Sequence, residues 1–199
     1  MPGVYIPNKK FAFVHVPKTA GMSIENWLSK NTESEKILGH PSLNDMKDRW
    51  DIERHFIVVR NPWDWVVSGY TYLKTMLTNV WEINGWDTFP TFEKMILDPP
   101  KELKVFFEGN DNPVKTWHNF YTNQIEWVHN QTDIVLRFEN LKEDFKQIQS
   151  ILDCDKELEH INSSKHNHYK EYYNDKTKQQ VAKMFERDID IFKYTFEGN

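Results

Sequence analysis

The sequence predicts an α/β fold in which a central parallel sheet is flanked by helices, and three observations carry that expectation. Short apolar runs suited to buried strands recur along the chain, an amphipathic helical stretch follows each of them, and the junctions hold residues that begin helices. Ligands of such sheets bind beyond the carboxyl ends of the strands.

The elements follow in order. Phe11-Ala12-Phe13-Val14-His15-Val16 is an apolar run closed by Pro17, the pattern of a strand buried on both faces. Ile24, Trp27 and Leu28 then take the i, i+3, i+4 spacing of a helix that begins near Gly21. The arrangement recurs at Phe56-Ile57-Val58-Val59, after which Asn61 is placed to cap a helix and Pro62 to occupy its first turn. Trp63, Val66, Val67 and Tyr70 mark the apolar face of that helix. A third strand is expected over 133–138 and a helix over 141–152. Mainly helical segments are expected between the second and third strands, around 89–97 and 114–128. The tail, 176–192, reads as helix again, with Val181, Met184, Phe185 and Ile189 on one face. No repeat, low-complexity tract or Gly/Ser-rich linker divides the 199 residues, so a single domain over 1–199 is expected.

Composition narrows the classes of function. With 39% hydrophobic and 28% charged residues the chain is globular rather than disordered. A net charge of −5 gives no global positive field for nucleic acid or an anionic membrane, so an anionic ligand needs a local cluster of donors. Aromatic residues reach 15%, which supplies either core packing or walls that stack on purine and sugar rings; most of these rings are expected in the core. Cys154 is the one cysteine, which excludes an intrachain disulfide and fits a reducing compartment. Residues 1–10 lack an apolar stretch of signal-peptide length and no run approaches a membrane span. The expectation is therefore a soluble, cytoplasmic protein.

Two junctions carry chemistry. In the first, Pro17-Lys18-Thr19-Ala20-Gly21-Met22-Ser23, a strand ends, the chain turns, and a helix begins with backbone N–H groups that can hold an anion. Gly21 permits close approach of the backbone, while Lys18, Thr19 and Ser23 supply a charge and two hydroxyls. The Walker A spacing is absent, which counts against an ATPase or kinase. In the second, Arg60 ends a strand and Ser68 lies roughly two turns into the following helix.

These segments resemble known ones. Phe13-Val14-His15-Val16-Pro17-Lys18-Thr19-Ala20-Gly21-Met22-Ser23 is similar to the 5′-phosphosulfate loop of carbohydrate sulfotransferases related to the heparan 2-O-sulfotransferases. Arg60-Asn61-Pro62-Trp63-Asp64-Trp65-Val66-Val67-Ser68 resembles their 3′-phosphate motif, and Leu136-Arg137-Phe138-Glu139-Asn140-Leu141 their later strand and turn. The resemblance implies a P-loop-like sulfotransferase fold and 3′-phosphoadenosine-5′-phosphosulfate (PAPS) as the donor, with PAP as the product. It implies that Lys18, Thr19, Ala20, Gly21, Met22 and Ser23 hold the 5′ end and that Arg60 and Ser68 hold the 3′-phosphate. Ser164 and Lys165 fall in a C-terminal segment similar to one that closes over the cofactor's 3′ end. Met22 stands where the family usually has Thr, so one hydroxyl contact is lost there, and Trp65 replaces a frequent Arg.

Roles in sulfuryl transfer follow from the chemistry of in-line displacement, where positioning and electrostatics dominate. Lys18 is the group to neutralise charge on the departing phosphate. His40, in Leu38-Gly39-His40-Pro41, resembles the Gly-His segment that carries the catalytic base, and a neutral imidazole suits that task. His15, inside an apolar strand, reads as a core histidine. His166 and His168 lack acidic or thiol companions at metal-ligand spacing, so no metal is expected. Trp27 lies on an amphipathic stripe and is expected in the core, while Trp81, Trp86, Trp117 and Tyr121 can stack on acceptor sugars or pack internally. The leading reading is transfer from PAPS to a hydroxyl of a saccharide or glycoconjugate. A non-catalytic PAP- or anion-binding module of the same fold and a nucleotide-dependent kinase are the alternatives.

Overall fold

The computed structural model describes residues 3–76, 82–83, 89–98, 104–107, 110–115, 122–159 and 167–198. The chain groups into two compact units, one of Met1–Arg60 with Gln124–Ser163, the other of Asn61–Asn123 with Ser164–Asn199. The strands β1 (Gly3–Ile6), β2 (Phe11–Val14), β3 (Glu35–Ile37), β4 (Arg54–Val59) and, after a shorter trio described below, β8 (Ile134–Arg137) form the sheet of the first unit. Its order is β3-β1-β2-β4-β8. The three strands anticipated from the sequence, β2, β4 and β8, are parallel neighbours, with Phe13 opposite Phe56 and Phe56 opposite Ile134. The sheet is mixed, because β1 and β3 add to one side in antiparallel pairing.

Alternation across this sheet sorts its side chains by face. Val4, Ile6, Phe11, Phe13, Phe56, Val58, Ile134 and Leu136 share one core cluster with Ile24, Trp27 and Leu28 of α1 (Gly21–Asn31). Phe13 stacks on Phe56 at 4.8 Å and Trp27 meets Phe145 edge-on at 5.0 Å, which puts these four aromatic rings in the core. On the opposite face a Cβ at Gly3 would strike Met46 of α2 (Leu43–Lys47), and Tyr5 stacks on Trp50 at 5.1 Å. At the amino ends of the parallel strands, Asp133 accepts from the His55 backbone N–H at 2.9 Å and meets His55 Nδ1 at 2.7 Å, which ties β4 to the approach of β8.

The second unit is built on α3 (Pro62–Met76) and α4 (Phe92–Leu97), with α7 (Asp175–Met184) and α8 (Glu186–Phe192). Asn61 starts α3 as expected: its Oδ1 accepts from the Trp63 N–H at 3.1 Å, and Pro62 takes the first position. Trp65 packs edge-on against Phe185, and Phe92 against Tyr70 and Tyr173, so these rings are core. The expected helix over 176–192 is two helices that meet at Phe185, and the one over 141–152 is α5 (Leu141–Asp144) and α6 (Lys146–Ile151).

One expectation is corrected. Between the second and third strands the helix expected around 89–97 is present as α4, but β5 (Glu82–Ile83), β6 (Lys104–Phe107) and β7 (Asn110–Lys115) add an antiparallel sheet in the order β5-β6-β7, which intrudes on the helix expected over 114–128. Val114 and Lys115, expected in a helix, are strand residues, and among the described residues of 114–128 the helical ones are Gln124–Val128, as a 3-10 segment. Pairing of Asn110, Val114 and Lys115 with β6 overrides the poor strand propensity of a segment that includes Asp111, Asn112 and Pro113. Trp81, Trp86, Trp117 and Tyr121 lie outside the described residues.

Candidate active site

The first junction is a tight left-handed turn. Lys18 has φ 63° and Ala20 φ 65°, a conformation that costs a side-chain-bearing residue about 1 kcal/mol each time. Thr19 holds the turn closed, since its Oγ1 donates to the Val16 carbonyl at 2.8 Å and the residue is fully buried. The Thr19 hydroxyl proton is thus committed inside the turn. Ala20 is the N-cap of α1 and its side chain makes no cap bond, so the N-cap position gives only backbone to the positive end of this 11-residue helix. Gly21 cannot carry a side chain, because a Cβ there would sit 1.8 Å from His15 Nε2. His15 is buried under the loop, in line with its reading as a core histidine. Met22 projects outward and is 43% exposed, while Ser23 is buried.

Arg60 follows the last residue of β4 and is only 7% exposed. Its guanidinium Nη1 donates to the Lys18 carbonyl at 3.1 Å and its Cζ lies 4.1 Å over the Phe138 ring, a cation–π contact. The side chain therefore links the end of β4, the Lys18 turn and the residue after β8. Its peptide group is held from the other side: the Arg60 N–H donates to Gln124 Oε1 and Gln124 Nε2 donates to the Arg60 carbonyl, both at 2.8 Å. Burial, and then the Arg60 charge, push the Lys18 ammonium down to about 8. Two cations drawn together in this way favour a multiply charged anion.

His40 comes to the same end of the sheet. Its Nδ1 lies 3.3 Å from the His15 carbonyl, and because a carbonyl only accepts, Nδ1 carries the proton and Nε2 keeps its lone pair. The ring stands edge-on to His15 at 5.0 Å and to Trp127 at 5.9 Å. Burial holds the imidazole below its ordinary value, with the bond to His15 acting in the opposite direction. Beside Ser23 opens a groove of about 470 Å³, bordered by Leu141, Phe145, Lys146, Gln149 and Leu158. Its size lies within the range of small-ligand sites.

The structure brings together Lys18, Thr19, Ala20, Gly21, Met22, Ser23, Arg60 and His40 in the first unit. Ser68 belongs to α3 in the second unit, where its Oγ is buried with no hydrogen-bond partner among the described residues. Ser164, Lys165 and His166 lie outside the described residues. Trp27 is core, 3% exposed, with Nε1 donating to the Lys156 carbonyl. Among the described residues no group of His, Cys, Asp and Glu stands together as a metal site, and no helix is long and apolar enough to cross a membrane. Sequence reasoning missed Gln124 and Trp127, whose partners are far away in the chain and leave no local pattern.

The decisive comparison is with family models: that of the sulfotransferase family matches residues 4–195. The chain belongs to the sulfotransferase family. Membership makes it a transferase of the sulfuryl-transfer class and agrees with the α/β sheet and its flanking helices. No curated protein sequence and no solved structure matches the chain significantly.

Proposed function

We propose that this sulfotransferase moves the sulfuryl group of PAPS to a hydroxyl of a saccharide or glycoconjugate and releases PAP. The observation that carries the reading is the convergence of Lys18 and Arg60 at the carboxyl ends of neighbouring parallel strands, close enough for Arg60 to depress the Lys18 ammonium. A nucleotide phosphorylated at both 5′ and 3′ positions answers that pair. The backbone of Thr19, Ala20, Gly21, Met22 and Ser23, at the start of α1, holds the 5′ end. Arg60 takes the 3′-phosphate, and by the spacing of its motif Ser68 is the accompanying hydroxyl; a buried oxygen without a partner among the described residues suits that role. Ser164 and Lys165 close over the same end on sequence likeness.

When bound, PAPS supplies the sulfuryl group and a stabilised phosphate as leaving group. Lys18 neutralises the charge that grows on that phosphate. His40 Nε2 takes the proton from the acceptor hydroxyl, since Nδ1 is held by His15 in the tautomer a base requires. Burial keeps His40 neutral at neutral pH, the state in which it can accept.

Calorimetry with PAP tests the cofactor. Wild type is expected to bind it, and Lys18→Ala and Arg60→Ala each to weaken it by tenfold or more, the worth of about 1.4 kcal/mol for a charge-assisted contact. Affinity should also fall as pH rises through about 8, because above that value Lys18 in the ligand-free protein must first take up a proton. A wild-type protein that fails to bind PAP ends the assignment.

A further inference from the structure

Gln124–Val128 is a single 3-10 segment, yet it touches both halves of the site from opposite ends. Gln124 is completely buried and uses its amide to mimic a strand neighbour, with donor and acceptor both spent on the Arg60 peptide at 2.8 Å. Such a two-pronged bond prolongs the β4 ladder by one residue and fixes the direction in which the Arg60 side chain leaves the sheet. Three residues on, Trp127 is 8% exposed and presents its ring edge-on to His40 at 5.9 Å. Its Nε1 has no hydrogen-bond partner among the described residues, so what is visible of the indole's role is shape, a wall behind the imidazole. The His15 carbonyl and ring close the other side of His40.

We infer that Gln124 and Trp127 are positioning residues that set Arg60 and His40 in one geometry, so that the phosphate-holding group and the base are aligned by the same short segment. Neither touches the reacting atoms. A common mount of this kind matters because displacement at sulfur depends on alignment, and a misplacement of about 1 Å costs a large factor in rate. The inference rests on the roles given to Arg60 and His40 above.

Two measurements test it without an acceptor. The first is the ratio of affinities for PAP and for adenosine 5′-monophosphate, which lacks the 3′-phosphate, measured by calorimetry on wild type and Gln124→Ala. Wild type should prefer PAP, and the preference should fall by about tenfold in Gln124→Ala while the affinity for the monophosphate stays within about twofold. Because both affinities are read on folded protein, the ratio is blind to a general loss of stability. The second is the titration of the His40 imidazole followed by NMR. In Trp127→Ala water reaches the ring and its midpoint should rise toward the ordinary histidine value, whereas Trp127→Phe should restore the wild-type midpoint. An unchanged ratio in Gln124→Ala, or an unchanged His40 titration in Trp127→Ala, overturns the inference. A wild type with no preference for PAP overturns instead the role of Arg60 on which the first arm rests, and the His40 arm still decides the part played by Trp127.

Discussion

The two strand-to-helix junctions share a plan and differ in how they satisfy it. After β4, the Asn61 side chain caps α3 through Oδ1, Pro62 fills the first helical position, and Asn61 Nδ2 donates to the Thr195 carbonyl at 2.8 Å. After β2, the N-cap is Ala20, whose side chain makes no cap bond, and two residues with side chains are held at positive φ. One junction is complete in itself. The other carries strain and an N-cap residue without a capping side chain beside a depressed lysine, which is the expected signature of a place built to receive something.

Three substitutions sharpen that contrast. The largest effect is expected at Gly21→Ala, because the new Cβ must displace a His15 ring enclosed by Phe13 at 5.5 Å and His40 at 5.0 Å. Overpacking of this sort costs about 3 kcal/mol, and PAP binding should be lost with it. Chemical denaturation and calorimetry would show this, and near-wild-type values for both would mean the loop is not the rigid cradle described. Asn61→Ala comes next. It removes a cap and leaves a carbonyl short of its donor, for a loss of about 2 kcal/mol in stability while the folded protein keeps its affinity for PAP. A loss of PAP affinity without loss of stability would erase the distinction between the junctions. The smallest effect is expected at Ala20→Gly, where relief of the left-handed conformation outweighs the added freedom of the unfolded chain and stabilises by about 0.5 kcal/mol. A destabilised Ala20→Gly would show that the turn stores no strain.

The contrast also explains what could be read in advance. Asn61, Pro62, Gly21 and the three parallel strands act through local rules of capping, backbone freedom and apolar runs, and each stands where the sequence placed it. β1 escaped notice because four residues, all buried, show neither alternation nor a helical stripe. β3 escaped because Glu35-Lys36-Ile37 is a short charged edge that owes its strand state to pairing with β1. Val114 and Lys115 at the end of β7 read as helix for the same reason, since their strand state comes from pairing with β6 and Asn110–Lys115 includes Pro113 and turn-forming residues. In the site, Lys18, Gly21 and Arg60 announce themselves by their junctions. Gln124 does not, because a buried glutamine that completes a peptide 64 residues away has no periodicity to betray it.

The strand order has a consequence for how the chain assembles. β1, β2 and β4 lie within the first 59 residues, but the second neighbour of β4 arrives only with β8, where Phe56 meets Ile134. Until those later residues dock, Phe56, Ile57, Val58 and Val59 form an apolar strand with one unpaired edge. Closing such a long loop is slow, and an open edge of this composition recruits other chains. Synthesis beyond residue 137 is therefore the step that retires the hazard, and the segment that does so ends beside Phe138, the ring on which Arg60 rests.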